Sequence, residues 1–144
     1  MKEISKKLGH FLADSYVLYI KTLNFHWNMT GEEFFMYHKL LQGQYEALAE
    51  ANDDVAERIR QLGDKAPGTM KDFLKLACMK ESSSDLSAKE MISELVKSHE
   101  LMVKHAGELI AFCDKNKDPG TSDMIVGRMR DHDKQAWLLR SHLE

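Results

Sequence analysis

The chain has 144 residues, a length that fits one domain with a sizeable hydrophobic core. Its 43% hydrophobic and 30% charged residues, with only two prolines and eight glycines, favour helices joined by short connections. A formal net charge of −3 gives no general reason to expect nucleic acid as a partner. No segment approaches the roughly 20 apolar residues of a membrane span, and the first ten residues lack the apolar core of a signal peptide. Because Cys78 and Cys113 are too few for a disulfide framework, we expect free thiols in a reducing compartment and a cytoplasmic location.

The first predicted element is a long amphipathic helix. Apolar residues recur at three- and four-residue steps from Ile4 to Trp27, which traces one face of a helix that ends near Asn28. The sequence Met-Thr-Gly at 29–31 then interrupts the pattern.

A second long helix follows this break. Glu32 and Glu33 are expected near its N-terminus, where negative charge is favourable, and Gly63 is expected to end it. At about 1.5 Å per residue this helix spans over 40 Å.

Residues 63–87 form the one long connection. Thr69 is a suitable N-cap for a short helix inside it. The apolar side of that helix is predicted to carry Phe73, Leu74 and Leu76. A connection of this length usually crosses from one end of a bundle to the other.

Two further helices complete the predicted fold. Ser87 and Glu90 have the spacing of a capping box and open the third helix, which extends to the polar segment 114–120. Thr121 or Ser122 is predicted to cap the fourth, which reaches nearly to the last residue. We therefore predict an all-α, ferritin-like four-helix bundle with a short extra helix in the crossover between helices 2 and 3, as a single domain over residues 1–144.

Four potential metal ligands lie on the first two helices. His26 and His38 lie among aromatic and aliphatic residues on either side of a short loop, and Asp53 and Glu57 are one helical turn apart. Imidazole nitrogens with carboxylate oxygens suit iron or zinc. Taken separately, the carboxylates could belong to a solvated acidic face, and the histidines could be hydrogen-bonded interior residues.

Helix geometry restricts how these four residues can act together. His38 and Asp53 are 15 residues apart on one helix, hence about 22 Å apart along its axis. No pair of side chains spans that gap to a shared ion. Either the histidines and carboxylates serve different sites, or a second copy of the chain in an antiparallel two-fold dimer supplies the missing half, twice.

Several motifs resemble the Dps proteins, the mini-ferritins named as DNA-binding proteins from starved cells. The resemblance covers essentially the whole chain. It is carried by Leu-Asn-Phe-His-Trp-Asn-Met-Thr-Gly at 23–31, Tyr-His at 37–38, Asp-x-x-x-Glu-Arg at 53–58, Ala-Pro-Gly-Thr at 66–69 and Asp-Lys-Gln-Ala-Trp-Leu at 133–138.

The resemblance implies a hollow dodecamer that oxidises ferrous iron, commonly with hydrogen peroxide in preference to oxygen, and stores ferric mineral. By this analogy His26 and His38 from one subunit and Asp53 and Glu57 from its partner bind iron, a site that zinc or another divalent ion could also occupy. Trp27 and Trp137 match aromatic positions that take up oxidising equivalents. Plain core packing is the alternative for both tryptophans.

Two further regions bear on the family pattern. Many members have an acidic residue four positions after the second histidine, where this chain has Gln42, so the resemblance does not imply a second iron at each centre; Glu46 is one turn further on. Asp114, Asp118 and Asp123 match the region that lines the family's cation-attracting pores, although a solvated loop of mixed charge is the alternative. Four further histidines match no motif and are expected to be surface or packing residues: His99, His105, His132 and His142.

Direct DNA binding is expected to be weak or absent. Helix periodicity begins at Ile4, which leaves almost no lysine-rich tail, and twelve chains at −3 each would carry about −36. An iron-oxidising, iron-storing mini-ferritin that protects against peroxide is therefore the leading prediction. The alternatives are a nucleoid-associated DNA-packing protein with incidental metal binding and a structural or receptor-binding shell without the chemistry.

Overall fold

The computed structural model describes residues 2–144, and every regular element in that range is a helix. In chain order these are α1 (Lys2–Asn28), α2 (Phe34–Gln61), α3 (Met70–Leu76), α4 (Ala88–Lys115) and α5 (Pro119–Ser141). Four long helices and a short one in the crossover confirm the predicted all-α, ferritin-like bundle. None of the helices described is long and apolar enough to cross a membrane.

The long helices form two hairpins that pack side by side. α1 pairs with α2, and α4 pairs with α5 over an extensive surface. α1 also packs against α4 and α3, whereas α2 meets α5 over a smaller area. Leu12, Leu41, Leu95 and Ile125 are fully buried where the hairpins meet, and each contributes about 1.5–3 kcal/mol through removal from water.

The helix ends follow local sequence signals. Ser87 and Glu90 form the predicted capping box, and Thr69 caps α3 by accepting a hydrogen bond from the Asp72 N–H. α2 ends one residue before its C-cap, Leu62, and the chain reverses at Gly63, whose φ of +96° strongly favours glycine. The predicted start of α5 needs correction.

α5 begins three residues earlier than predicted. Asp118, rather than Thr121 or Ser122, is its N-cap, and its carboxylate accepts a hydrogen bond from the Thr121 N–H at 3.1 Å. Pro119 follows as the first helical residue, where its missing N–H costs nothing. At α2, Glu33 is the N-cap and forms no side-chain capping bond, so Glu32 and Glu33 precede the first helical turn.

Several large apolar residues that the periodicity assigned to buried or apolar helix faces are exposed in the single chain, and three of them are more than half exposed. Trp27 is 65% exposed, Leu74 56% and Trp137 58%. Plain core packing within the chain is therefore wrong for both tryptophans.

Buried Asp14 attaches the long crossover to the bundle. One of its carboxylate oxygens accepts hydrogen bonds from the backbone N–H groups of Cys78 and Met79, at 2.7 and 2.9 Å. The other oxygen is 2.9 Å from Nδ1 of His105. Neither Cys78 nor Cys113 is in a disulfide, and Cys113 is buried.

Candidate metal centre

His26 and His38 face each other across the turn between α1 and α2. His26 lies in the last turn of α1 and is 6% exposed, and His38 lies in the second turn of α2 and is half-buried. Gly31, at φ +122°, allows the chain to reverse between them. The short connection places the two imidazole rings 3.7 Å apart between centroids and nearly parallel, with an interplanar angle of 11°.

The two histidines hold each other through reciprocal hydrogen bonds to the backbone. Nδ1 of His26 lies 2.7 Å from the carbonyl oxygen of His38, and Nδ1 of His38 lies 2.7 Å from the carbonyl oxygen of His26. Because a carbonyl oxygen only accepts, each Nδ1 carries the proton. In its neutral form each ring therefore has its lone pair at Nε2, which is the arrangement of a metal-binding histidine whose other nitrogen is held by a backbone carbonyl.

Aromatic side chains enclose this histidine pair. The Tyr45 ring meets the His26 ring edge-on at 5.2 Å, and the Phe34 ring packs against His38 at 4.9 Å. Phe35, 69% exposed, extends the aromatic surface toward solvent. These ring contacts restrict rotation of the imidazoles.

Asp53 and Glu57 are exposed on α2 and form no ion pair among residues 2–144. They share one face of the helix, about 22 Å along its axis from His38. Within the part of the chain that is described, no three histidine, cysteine or acidic side chains are placed to hold a metal ion. The structure therefore brings His26 and His38 together and leaves the carboxylates apart from them.

Gln42 lies on α2 between His38 and Asp53 in sequence, and its side chain is hydrogen-bonded. Its amide nitrogen donates a hydrogen bond to Glu46 over 3.0 Å. Glu46 is one turn from position 42 and could substitute for an acidic residue there, but this bond occupies one of its carboxylate oxygens.

The acidic residues of the α4–α5 turn have local partners. Asp114 accepts a hydrogen bond from the Ser122 hydroxyl at 2.6 Å, and Asp118 accepts one from Arg58 at 3.1 Å in addition to capping α5. Burial would raise the pKa of Asp118, but hydrogen bonds from Thr121 and the charge of Arg58 hold that pKa below its ordinary value. Asp123 is exposed.

A buried polar core cluster, which the sequence did not predict, joins residues from all four long helices: Ser15, Asn52, His99, Arg128 and His132. His99 and His132 are 1% and 2% exposed, with their Nδ1 atoms 2.9 Å apart. The available signal was the one-turn spacing of Arg128 and His132 on the apolar side of α5. Expecting His99 and His132 to be packing residues was correct as to burial but did not anticipate their hydrogen bonds.

Comparisons with known proteins agree with this architecture. Residues 5–144 match the Ferritin family, described as a ferritin-like domain. An uncharacterised low temperature-induced protein of Nostoc sp. is 40% identical over 95% of this chain and 78% of its own length. The DNA protection during starvation protein of Helicobacter pylori is 34% identical over 94% of this chain and 95% of its own. The crystal structure of a Dps protein from Bacillus brevis superposes with a TM-score of 0.97 at 30% identity, over 99% of this chain and 96% of that one. The chain belongs to the Dps family of ferritin-like proteins.

Proposed function

We propose that this protein oxidises ferrous iron and stores the ferric product, and that it thereby protects DNA and the cell from oxidative damage. The observation that carries the proposal is the reciprocal bonding of His26 and His38, which leaves the Nε2 lone pair of each ring free to bind iron. The ferritin-like family match and the likeness to a DNA protection during starvation protein support the same general function.

Each iron site is proposed to form between two subunits. In an antiparallel two-fold dimer of α2, the histidines of one subunit lie opposite Asp53 and Glu57 of the other, and the symmetry produces two such sites. Two imidazoles and two carboxylates bind ferrous iron well and leave coordination positions open for an oxidant. The exposure of Asp53 and Glu57, without any ion pair in the described chain, supports this arrangement.

An apolar groove supports the dimer independently. α1, α2 and α3 enclose about 630 Å³ beside Tyr16 and Phe73, whose rings stack at 4.4 Å. Ile20, Met70 and Leu74 border the groove and are 44%, 78% and 56% exposed. Contact with a second copy would remove this surface from water, and we propose that such two-fold dimers assemble into a dodecamer.

The proposed chemistry uses hydrogen peroxide as the oxidant, with oxygen as an alternative. Two ferrous ions each lose one electron, and one peroxide molecule takes up both electrons and two protons to yield two waters. No hydroxyl radical is released by a two-electron reduction, so the reaction is protective. Ferric iron then collects as mineral in the shell interior.

Other residues have proposed supporting roles. Trp27 is adjacent to His26 and is exposed, as is Trp137, so either indole could supply an electron to the site without disrupting the core. Asp114, Asp118 and Asp123 are proposed to line the entry path for cations at the α4–α5 turn. Asp118 would contribute from its place beside Arg58, whose positive charge weakens the attraction.

We propose that direct DNA binding is weak, because twelve chains at −3 each would carry about −36 and repel phosphate. A gel shift at physiological salt with the purified oligomer tests this. Tight complexes would instead favour the DNA-packing function.

The iron chemistry is tested by anaerobic loading with Fe²⁺, followed by addition of peroxide and measurement of ferric absorbance. The His26→Ala/His38→Ala variant should lose site-catalysed oxidation, whereas the His142→Ala variant, altered at an exposed histidine, should match wild type. Equal rates in all three proteins would remove the ferroxidase assignment. Size measurement on the same samples distinguishes a failure to assemble from a failure to bind iron.

A further inference from the structure

The polar core cluster contains a buried cation without an anionic hydrogen-bond partner. Arg128 is 5% exposed, and the described side chains offer it no carboxylate within ion-pair distance. Its guanidinium instead contacts the Ser15 hydroxyl at 2.7 Å, Nε2 of His132 at 3.1 Å and, more weakly, the Ala51 carbonyl at 3.5 Å. A buried charge of this kind is costly unless all the surrounding dipoles are aligned with it.

The guanidinium determines the protonation of both histidines. Arginine only donates, so Nε2 of His132 must accept, and the proton of a neutral His132 must be on Nδ1. That Nδ1–H then donates to Nδ1 of His99 across 2.9 Å. The proton of His99 is consequently on Nε2, a buried atom without a partner in the described structure.

This hydrogen-bond chain leaves no imidazole lone pair open to a proton. A proton on Nδ1 of His99 would face the N–H of His132, and a proton on Nε2 of His132 would face the N–H of Arg128. Either proton would replace an attractive contact by a donor–donor repulsion and would add positive charge beside the guanidinium. Protonation therefore requires the chain from Arg128 to His99 to break.

The surrounding charges do not offset this repulsion. Asp131 of α5 and Asp54 of α2 act on Arg128, where they oppose the lowering of its pKa to about 10 by burial. α1 contributes Ser15 and the Phe11 ring, 5.1 Å from the guanidinium. The buried carboxylate of Asp14, next in sequence to Ser15, is bonded to His105 and the crossover. From α4 only His99 belongs to the polar core cluster.

We propose that the polar core cluster is an acid-sensitive latch, which locks the four long helices together while His99 and His132 are neutral and releases them when acid forces a proton onto either ring. The latch joins side chains of α1, α2, α4 and α5, so its opening would loosen the whole bundle. This inference concerns the fold of the subunit and does not depend on the iron chemistry.

The sign of the pH effect follows from the direction of the pKa shifts. Burial and the charge of Arg128 lower the pKa of His99 from 6.5 to about 3, and burial, Arg128 and His99 lower that of His132 well below 6.5. Below about pH 6.5 the unfolded chain takes up protons that the folded chain excludes. The stabilisation that comes from the two neutral histidines is therefore complete above that pH and falls toward pH 3. Each histidine changes the unfolding constant by up to about tenfold per pH unit, or about 100-fold for the pair.

The test is denaturant unfolding of the full protein at fixed concentration between pH 7.5 and 5. Wild type is compared with His99→Gln/His132→Gln, in which each amide can accept and donate as the imidazole does but cannot titrate. We expect the double variant to lose most of the steep acid dependence, whereas His142→Gln, at an exposed position, retains it. A double variant with the wild-type pH slope would overturn the proposal.

A second measurement uses the wild-type protein, so it does not depend on whether the double variant folds. Nitrogen-15 solid-state NMR of histidine-labelled wild type at pH 5 reports the state of each ring. We expect neutral His132 protonated at Nδ1 and neutral His99 protonated at Nε2. A charged imidazolium at either position in the folded protein would overturn the latch.

Discussion

His26 and His38 each hold the other's ring, because each Nδ1 donates to the backbone carbonyl of the other residue at 2.7 Å. The same two contacts join the end of α1 to the start of α2. They fix the proton of each neutral ring on Nδ1 and leave its lone pair on Nε2. Neither ring is positioned independently of the other.

Mutual support predicts that the single and double histidine variants lose similar activity. His26→Ala removes one ligand and the imidazole stacked 3.7 Å from the ring of His38, although the backbone carbonyl of residue 26 can still accept from Nδ1 of His38. Loss of an orienting contact typically costs 10- to 100-fold in metal affinity or activity. We expect each single variant to lose at least about 100-fold in the rate of Fe²⁺ oxidation. A double-mutant cycle measures the coupling, and additive losses would show that the two rings act independently.

The apolar groove predicts a defect in assembly without a defect in folding. Leu74→Ser and Met70→Ser remove exposed apolar surface from α3, so the subunit should keep its helical circular dichroism but form fewer dimers. Lys75→Ser, an exposed position on the same short helix, is the matched control. Light scattering after size-exclusion chromatography checks the result, and full assembly of the Leu74→Ser/Met70→Ser double variant would contradict it.

Asp118 should stabilise the protein both as a cap and as the partner of Arg58. Asp118→Ala should cost about 1–2 kcal/mol in the free energy of unfolding at neutral pH, whereas Asp118→Asn keeps the capping oxygen and should cost less. Because the pKa of Asp118 is lowered in the fold, its charge-dependent stabilisation is present above pH 3.8 and is lost as pH falls through the folded value. Denaturant unfolding at pH 7 and pH 3 checks both points, and equal losses at the two pH values would contradict the charge contribution.

In the ion pair between Lys21 and Glu94, removal of Glu94 should destabilise the protein more than removal of Lys21. Lys21 has a 1% exposed side chain bonded to Glu94 at 3.2 Å and Ser98 at 3.0 Å, whereas the side chain of Glu94 is 35% exposed. Burial lowers the pKa of Lys21, and Glu94 opposes that shift. Glu94→Ala leaves a buried charge without its partner and should cost about 1–3 kcal/mol.

Lys21→Met is the comparison, because it leaves Glu94 able to turn toward water and replaces the lysine stem with an apolar one. It should cost less than Glu94→Ala in the same unfolding measurement. A larger loss for Lys21→Met would contradict the asymmetry.

The helices were predictable because they depend on local pattern. Periodicity predicted four long helices, Ser87 and Glu90 predicted a capping box, and helix rise showed that His38 and Asp53 cannot share an ion within one chain. The start of α5 was misplaced because Asp118 and Thr121 are both good caps, and only the turn geometry decides between them.

Contacts between distant helices were not predictable from spacing. Arg128 reaches Ser15, and His99 reaches His132, because the crossover places α4 and α5 beside α1. Sequence periodicity also assigns residues to a helix face without saying how far a neighbouring helix extends. The exposure of Trp27 and Trp137 could not be predicted for that reason.

Mixing of two defective subunits tests whether each site is completed by a second subunit. One variant lacks the histidines (His26→Ala/His38→Ala) and the other lacks the carboxylates (Asp53→Ala/Glu57→Ala), so neither can form a complete site alone. After co-refolding at equal amounts, about half of the dimers are mixed, and each mixed dimer has one intact and one doubly defective site. We expect peroxide-dependent Fe²⁺ oxidation to return to about a quarter of the wild-type rate, because a quarter of all sites are then intact. No recovery in a mixture shown to contain mixed dimers would contradict an intersubunit site.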